Sequence, residues 1–333
     1  MNFFTKSLYH LSRIFNRPLA APELLILSLT QCCNLRCLTC GIKEPVAKES
    51  IQIDAGKIFD IIDQAKGMRI KTIVLSGGEP FLVEGIFAVS EYIKKLNMSV
   101  AVTTNGFYND DLAQKIAEAR ISHLHFSLDG LQENNDAIRG KGTYERLMRT
   151  VTLLRKLNPE QSIGFGTVIL SKNCNDLFEL TKIADSLKVN TMNFIPYLVN
   201  NIDPQHSKKG HEYSQLWPGV EDMVNLKSNF VRIANYNYKY LRVDPHPSFR
   251  LLLDYYSLGR IRKKCFAGYK SIIITTPRKH DGKVVSDVFF CQDSCGNIYD
   301  SSLKQAWASK KAAQMRLIAK RCGNPCLQFC HYI

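Results

Sequence analysis

The sequence predicts an α/β chain built on a parallel sheet, and three observations carry that prediction. Strand-like apolar runs recur six times between residues 24 and 196. The stretches between several of them place apolar residues at helical spacing. Four unusual loops follow the runs directly, where parallel α/β sheets carry their functional loops at the carboxyl ends of the strands.

The runs are Leu24 to Leu29, Ile70 to Leu75, Val100 to Thr104, Leu124 to Leu128, Ile163 to Leu170 and Thr191 to Ile195. Ile58, Ile61, Ile62 and Ala65 share one helical face, as do Leu147, Val151 and Leu154, and then Leu177, Leu180, Ile183, Ala184 and Leu187. Asp54 and Thr143 are placed to act as N-caps and Gly67 as a C-terminal stop. Consecutive strand-helix units need right-handed crossovers, which yield either an open doubly wound sheet or a barrel.

With 333 residues, 45% apolar and 22% charged, the chain can hold one large core and a smaller appended module. The expected plan is a basic amphipathic segment over 1–22, a core over 23–200, a connector or substrate-covering segment over 201–262 and a C-terminal module over 263–333. No apolar run approaches the roughly 20 residues needed to cross a bilayer, and no signal-peptide pattern opens the chain, so a cytoplasmic protein is expected.

In the first segment Phe3, Phe4, Leu8, Leu11, Ile14 and Phe15 alternate with Lys6, His10, Arg13 and Arg17, and no acidic residue precedes Glu23. Such a helix can lie on an anionic membrane or cap the bottom of a barrel; capping is the preferred reading. The formal charge is +14, and residues 259–333 hold 14 Lys and Arg against 4 Asp and no Glu, so 14 − 4 = +10 lies there. That field favours an anionic partner, or offsets the negative charge of a thiolate-held cluster.

Eleven cysteines in a chain without an export signal argue for free thiols that bind metal. Cys33, Cys37 and Cys40 are spaced C-x3-C-x2-C directly after the first strand run, with Cys32 alongside. Three thiolates at short range hold a cluster while leaving one metal ion without a protein ligand, which points to chemistry on a bound molecule. Zinc and plain buried cysteines are the competing readings.

The stretch Cys33-Asn34-Leu35-Arg36-Cys37-Leu38-Thr39-Cys40 resembles the signature loop of the radical S-adenosylmethionine (radical SAM) enzymes, and the likeness covers about the first 200 residues. It implies their partial (β/α)6 barrel, a [4Fe-4S] cluster on Cys33, Cys37 and Cys40, and SAM chelating the fourth iron. Thr39 falls within that loop. Ser76-Gly77-Gly78-Glu79, after the second strand, resembles the family motif that receives the SAM ammonium with the glutamate nearby; absent side chains there admit close backbone approach. Thr103, Thr104 and Asn105 match polar positions used against the ribose and methionyl groups, or else Asn105 and Gly106 simply make a turn. Ser127 and Asp129 stand where relatives contact SAM or substrate. Arg139 resembles an arginine that reaches the SAM carboxylate, with a surface ion pair to Asp136 as the alternative.

From about Asn200 to Lys264 the strand-helix rhythm is lost. Tyr236, Tyr238, Tyr240, Tyr255 and Tyr256 either line a pocket or, in the preferred reading, pack with their hydroxyls at the surface. Beyond lie Cys265, a hairpin turning near Asp281-Gly282, Cys291, a helical stretch from Leu303 to Ala319, and Cys322, Cys326 and Cys330. This order resembles the SPASM or shorter twitch extension of radical SAM enzymes. The resemblance implies one auxiliary [4Fe-4S] cluster on Cys265, Cys291, Cys326 and Cys330, with Cys322 able to replace one, and Cys295 a bystander. A zinc ribbon is the alternative.

The resemblance implies reduction of the first cluster by an external donor such as flavodoxin or ferredoxin, cleavage of SAM to a 5′-deoxyadenosyl radical, and hydrogen abstraction from a substrate. The auxiliary cluster can then take an electron, giving oxidation or crosslinking in peptide maturation. Dehydrogenation of a small molecule such as a sugar or lipid precursor is the competing outcome, and a non-catalytic iron-sulfur or zinc module a further one. Nucleic acid is not expected as a partner, since no RNA-binding appendage is evident.

Overall fold

Alternating burial runs through five of the six expected strands, and the fifth, Ile163–Ile169, is buried at all but one position. In β1 (Leu24–Ser28), Leu25 and Leu27 are fully buried while Leu24, Ile26 and Ser28 are only half-buried. The buried set packs with helix residues such as Ile58 and Ile61 in one large core, and the half-buried set lines the opposite face of the sheet. This is the period-2 signature of a strand whose two faces meet different surroundings.

The structure, a computed structural model, describes residues 3–41, 51–197, 214–244, 249–258, 264–290 and 293–321. After α1 (Phe3–Phe15) and β1 come α2 (Ala55–Gly67), β2 (Thr72–Ser76), α3 (Ile86–Lys95), β3 (Ser99–Thr104), α4 (Asp110–Ala119) and β4 (His123–Ser127). Then follow α5 (Gln132–Arg139), α6 (Thr143–Leu157), β5 (Ile163–Ile169), α7 (Leu177–Ser186), β6 (Thr191–Pro196), α8 (Val220–Asn235), β7 (Arg242–Asp244) and α9 (Phe249–Leu258). The last part holds β8 (Ser271–Ile274), β9 (Arg278–His280), β10 (Lys283–Val285), β11 (Asp287–Phe289), β12 (Ser294–Asn297), α10 (Leu303–Ala308) and α11 (Lys310–Arg321).

The main sheet has ten strands in the order β12-β11-β8-β1-β2-β3-β4-β5-β6-β7. From β1 to β7 the order never reverses and every pairing is parallel. Right-handed crossovers in such a series put every helix on one face, which excludes a doubly wound sheet and leaves the other face as the lumen of a partial barrel. Among the described residues its edges, β7 and β12, do not pair with each other. No described helix is long and apolar enough to cross a membrane.

Several expectations need correction. The segment after residue 200 carries a seventh parallel unit, α8 followed by β7; three residues, Arg-Val-Asp, are too short to register as an apolar run. Thr143 is the first residue of α6, not its cap. Gly142 holds the cap position, and Asp136 supplies the capping oxygens by accepting from the Gly142 and Tyr144 amides. Gly67 ends α2 from within, and the left-handed residue beyond it is Arg69.

The helical stretch from Leu303 breaks at Ser309, whose hydroxyl accepts from the Ala312 amide and caps α11. Tyr255 and Tyr256 do pack, against Trp217, but their hydroxyls are buried: both bond the Tyr197 backbone, and Tyr256 also donates to the Ile169 carbonyl. Tyr236 and Tyr240 are exposed. The hairpin at Asp281-Gly282 is present between β9 and β10, with both turn residues at positive φ.

The C-terminal module is not separate from the core. β8 pairs parallel with β1, and β11 and β12 extend the same sheet antiparallel. Arg316 bolts it in place. This side chain is 2% exposed, donates to the Gly268 and Trp307 carbonyls and lies 4.6 Å from the Trp307 ring centroid. Replacing Arg316 by Met leaves two buried carbonyls unpaired and removes the ring contact, a loss of about 2–4 kcal/mol, read as a lower urea midpoint with unchanged slope.

Candidate functional site

The cysteine loop begins where β1 ends and lies directly over the turn that follows β2. Gly78 donates its amide to the Thr30 carbonyl at 2.7 Å, and Glu79 donates to the Cys32 carbonyl at 2.8 Å. A Cβ on Gly78 would stand 2.1 Å from that same Cys32 oxygen, and one on Gly77, at φ +124°, 2.7 Å from the Thr30 oxygen. The two glycines therefore admit the chain's own cysteine loop, where their sequence context pointed to close approach by a ligand.

Glu79 ties this pair of loops to a third. It is 1% exposed, and its carboxylate accepts from the Phe81 amide, the Thr104 hydroxyl at 2.8 Å and the Asn105 amide at 2.8 Å. Burial is the largest influence on it and raises its pKa from 4.5 to about 7 against those donors. Asn105 forms the turn at β3 by accepting from the Phe107 amide, and its Nδ2 donates to Asn34 Oδ1 and lies 3.8 Å from Cys33 Sγ. Asn34 completes the link by donating to the Phe107 carbonyl at 2.6 Å.

A second anchor comes from α5. The Leu38 amide donates to the Ile138 carbonyl at 2.7 Å, and Cys37 Sγ lies 3.9 Å from the Arg139 carbonyl. Arg139 pairs with Asp129, not Asp136, at 2.6 Å; the Asp129 side chain is buried and that of Arg139 is 12% exposed. Asp129 is held in turn, its other oxygen accepting from the Val168 amide and its own amide donating to Asn135. Arg139 Nε is buried without a partner among the described residues, a donor left available beside the cysteines.

Cys33, Cys37 and Cys40 are half-buried thiols whose charges influence one another. Burial, chiefly, pushes Cys33 and Cys37 up, while Arg139 draws Cys37 down. Among the described residues no three His, Cys, Asp or Glu side chains converge on a point one ion could occupy. The donor set, three thiols beside a buried guanidinium with an unused N–H, fits a negatively charged cluster carrying a carboxylate ligand. Thr39 sits half-buried in the turn between Cys37 and Cys40, and Ser76 and Ser127 close their strands half-buried. Thr103 faces the lumen.

The lumen holds a feature that motif reading missed. His123 and His125 alternate with buried Leu124 and Phe126 on β4, and β5 sets Gly164 opposite His125 and Gly166 opposite Ser127. A Cβ on Gly166 would meet His125 Nε2 at 2.5 Å, so the glycines make room for the imidazole. Period-2 bulk on one strand against period-2 glycine on the next was the legible signal. Asn193, across Gly166 on β6, has a buried Oδ1 without a partner among the described residues.

In the C-terminal module, Cys291, Cys322, Cys326 and Cys330 lie outside the described residues. Cys265 is half-buried near the amino end of β8, and Arg13 bridges its carbonyl to that of Lys320 near the end of α11. β11 runs toward the same end, with Phe289 beside Ile273 and Val288 beside Ile274. Cys295 is buried in β12, its pKa raised to about 11 by burial.

Comparison with known proteins is consistent with this geometry. The family model described as the radical SAM superfamily matches residues 27–182. The chain is similar to mycofactocin maturase MftC of Mycolicibacterium smegmatis, 28% identical over 51% of this chain and 43% of that protein. It is also similar to the tungsten-containing aldehyde ferredoxin oxidoreductase cofactor-modifying protein of Pyrococcus furiosus, 25% identical over 92% of this chain and 86% of that one. The match thus spans less than half of the first relative and most of the second. Streptococcus suis SuiB, solved with its precursor peptide SuiA, shares the fold over 94% of this chain and 71% of its own, with TM-score 0.66 and 15% identity.

Two outcomes follow from the packing. Gly78→Ala must displace the cysteine loop, so anaerobically reconstituted variant should hold about four fewer irons per chain than wild type by iron assay. The second concerns pH. Burial lowers His125 from 6.5 to about 4, so its contribution to stability is present above about 6.5 and lost as pH falls toward 4. Glu79 works in the opposite sense: its contribution is present below about 4.5 and lost as pH rises through about 7. Between about pH 4.5 and 6.5 the two slopes offset each other in the iron-free chain. Urea midpoints across that window should fall with pH in His125→Asn and rise with pH in Glu79→Gln.

Proposed function

We propose, for a chain that belongs to the radical SAM superfamily, that it cleaves SAM reductively and uses the radical to modify a peptide. The observation that carries this reading is the cysteine loop held by three neighbours, with the unused N–H of buried Arg139 beside it. When bound, the cluster and SAM supply a 5′-deoxyadenosyl radical able to take a hydrogen atom from an unactivated carbon.

The chain's own residues position and shield. Cys33, Cys37 and Cys40 would hold the cluster, and Arg139 would meet the SAM carboxylate. Glu79 keeps the Gly77-Gly78 turn and the Thr104-Asn105 turn in register. Thr103, Ser127, His125 and Asn193 line the lumen and would orient the substrate carbon. A half-buried, neutral His125 can donate or accept one hydrogen bond without carrying charge into the lumen.

A peptide substrate is supported by what the similar proteins do: one is a mycofactocin maturase, and SuiB binds a precursor peptide. An oxidative outcome is supported by the C-terminal cysteines. The described segments leading to Cys291 and Cys322 run toward the end of the sheet that holds Cys265. There an auxiliary [4Fe-4S] cluster would accept an electron, and an external donor would supply the first cluster. We place the enzyme in the cytoplasm.

Reconstituted wild-type protein with dithionite and SAM should release 5′-deoxyadenosine. Cys33→Ala/Cys37→Ala/Cys40→Ala should release none while retaining about four irons in the auxiliary site. Intact wild-type clusters without 5′-deoxyadenosine would refute the reading.

A further inference from the structure

Helix α1 is docked the wrong way round for a helix that belongs to a core. Tyr9 and Ser12 are buried, Tyr9 packing with Phe266 and Tyr269. The same side makes the polar contacts: Tyr9 donates to the Ala21 carbonyl, Arg13 to the Cys265 and Lys320 carbonyls, and Asn16 to the Ala313 carbonyl. These contacts fix the rotation of the helix.

The face left outside is the apolar one. Phe4, Leu8, Leu11 and Phe15 follow i, i+4, i+7, i+11 spacing, one stripe of a 3.6-residue helix. Phe4 is 68% exposed, Leu11 41%, Ile14 61% and Phe15 66%, and Leu19, just beyond the helix, is exposed too. On α11, which Arg13 and Asn16 tie to α1, Leu317 is exposed as well. A surface helix normally turns such a stripe inward; large aromatic and aliphatic side chains grouped in water mark an interaction surface.

Charge selects the occupant. Exposed Lys6, His10 and Arg17 border the stripe, and no acidic residue occurs before Glu23. Two copies meeting through this face would set these cations against each other, whereas an anionic lipid surface complements them while burying the stripe. We propose that α1 is an interfacial helix that seats the protein peripherally on an anionic bilayer, with Phe4, Leu11, Ile14 and Phe15 in the acyl boundary and Lys6 and Arg17 at the headgroups. The helix still docks at the amino ends of the strands, as the capping expectation has it, and its outer face is the one turned to lipid.

The seat lies away from the cysteine loop, at the end of the sheet where Cys265 stands. Glu23 donates to the Lys270 carbonyl, and Leu24 pairs with Ser271, so α1 docks at the amino ends of β1 and β8, while the cysteine loop leaves the carboxyl end of β1. Membrane docking therefore leaves the cysteine-loop rim open to a substrate from solution.

The test uses reconstituted full-length protein sedimented with vesicles of phosphatidylcholine alone or mixed with phosphatidylglycerol. Binding is expected to the mixed vesicles, weakening with salt, and not to the neutral ones. Phe4→Ser/Phe15→Ser should weaken binding about a hundredfold and Lys6→Glu/Arg17→Glu at least about tenfold. Thermal midpoint and vesicle-free 5′-deoxyadenosine formation should not change in either variant, since these side chains are exposed and remote from the cysteine loop; those two readouts separate failure here from failure of the radical SAM reading. The proposal is overturned if wild type ignores mixed vesicles, if the Phe variant binds them equally, or if light scattering shows a dimer that the Phe variant dissolves while vesicles stay unbound.

Discussion

The site depends on one contact, the Cys32 carbonyl lying where a side chain on Gly78 would have to be. Because that space is empty, the cysteine loop rests on the β2 turn and accepts two short backbone hydrogen bonds from it. Glu79, next in sequence, turns inward and carries the restraint to the Thr104-Asn105 turn, and Asn105 returns it to Asn34 and Cys33. A flexible three-cysteine loop is thereby held from several sides before any metal arrives. That preorganisation lowers the ordering entropy that cluster binding must overcome.

The cost of the arrangement is electrostatic. A carboxylate, a guanidinium and several thiols share a poorly hydrated rim, and burial works against every charged form among them. Asp129 offsets this for Arg139 through a short ion pair, and backbone amides offset it for Glu79. These charges belong to the polypeptide, so the local field is set before the cofactors bind. Buried pairs of this kind are poor sources of stability, and their use here is to fix the direction in which Arg139 offers its remaining N–H.

Much of the architecture was legible because physics writes it locally. All six strand runs were placed within two residues, since an apolar run beside a helical repeat leaves few alternatives. The four loops were legible because parallel strands deliver them to one rim. Strand β7 was hidden by its length, and the cap of α6 by the fact that Asp136, on the preceding helix, does the capping. In the site, residue types were readable but partners were not. Arg139 takes Asp129 rather than its sequence neighbour Asp136, and Asn34 bridges to Phe107, because such choices are made by tertiary distance. The His125 and glycine pairing across β4 and β5 could have been read from alternation alone. The orientation of α1 could not, because the same amphipathic pattern serves an inward or an outward face.

The most direct test of the central claim, that the three-cysteine loop leaves one iron for SAM, is electron paramagnetic resonance of the dithionite-reduced protein with Cys265→Ala/Cys291→Ala/Cys326→Ala/Cys330→Ala removing the proposed auxiliary ligands. Adding SAM should shift the remaining cluster's signal as its amino and carboxylate groups take the open position. A spectrum indifferent to SAM, from a cluster intact by iron count, would contradict the account.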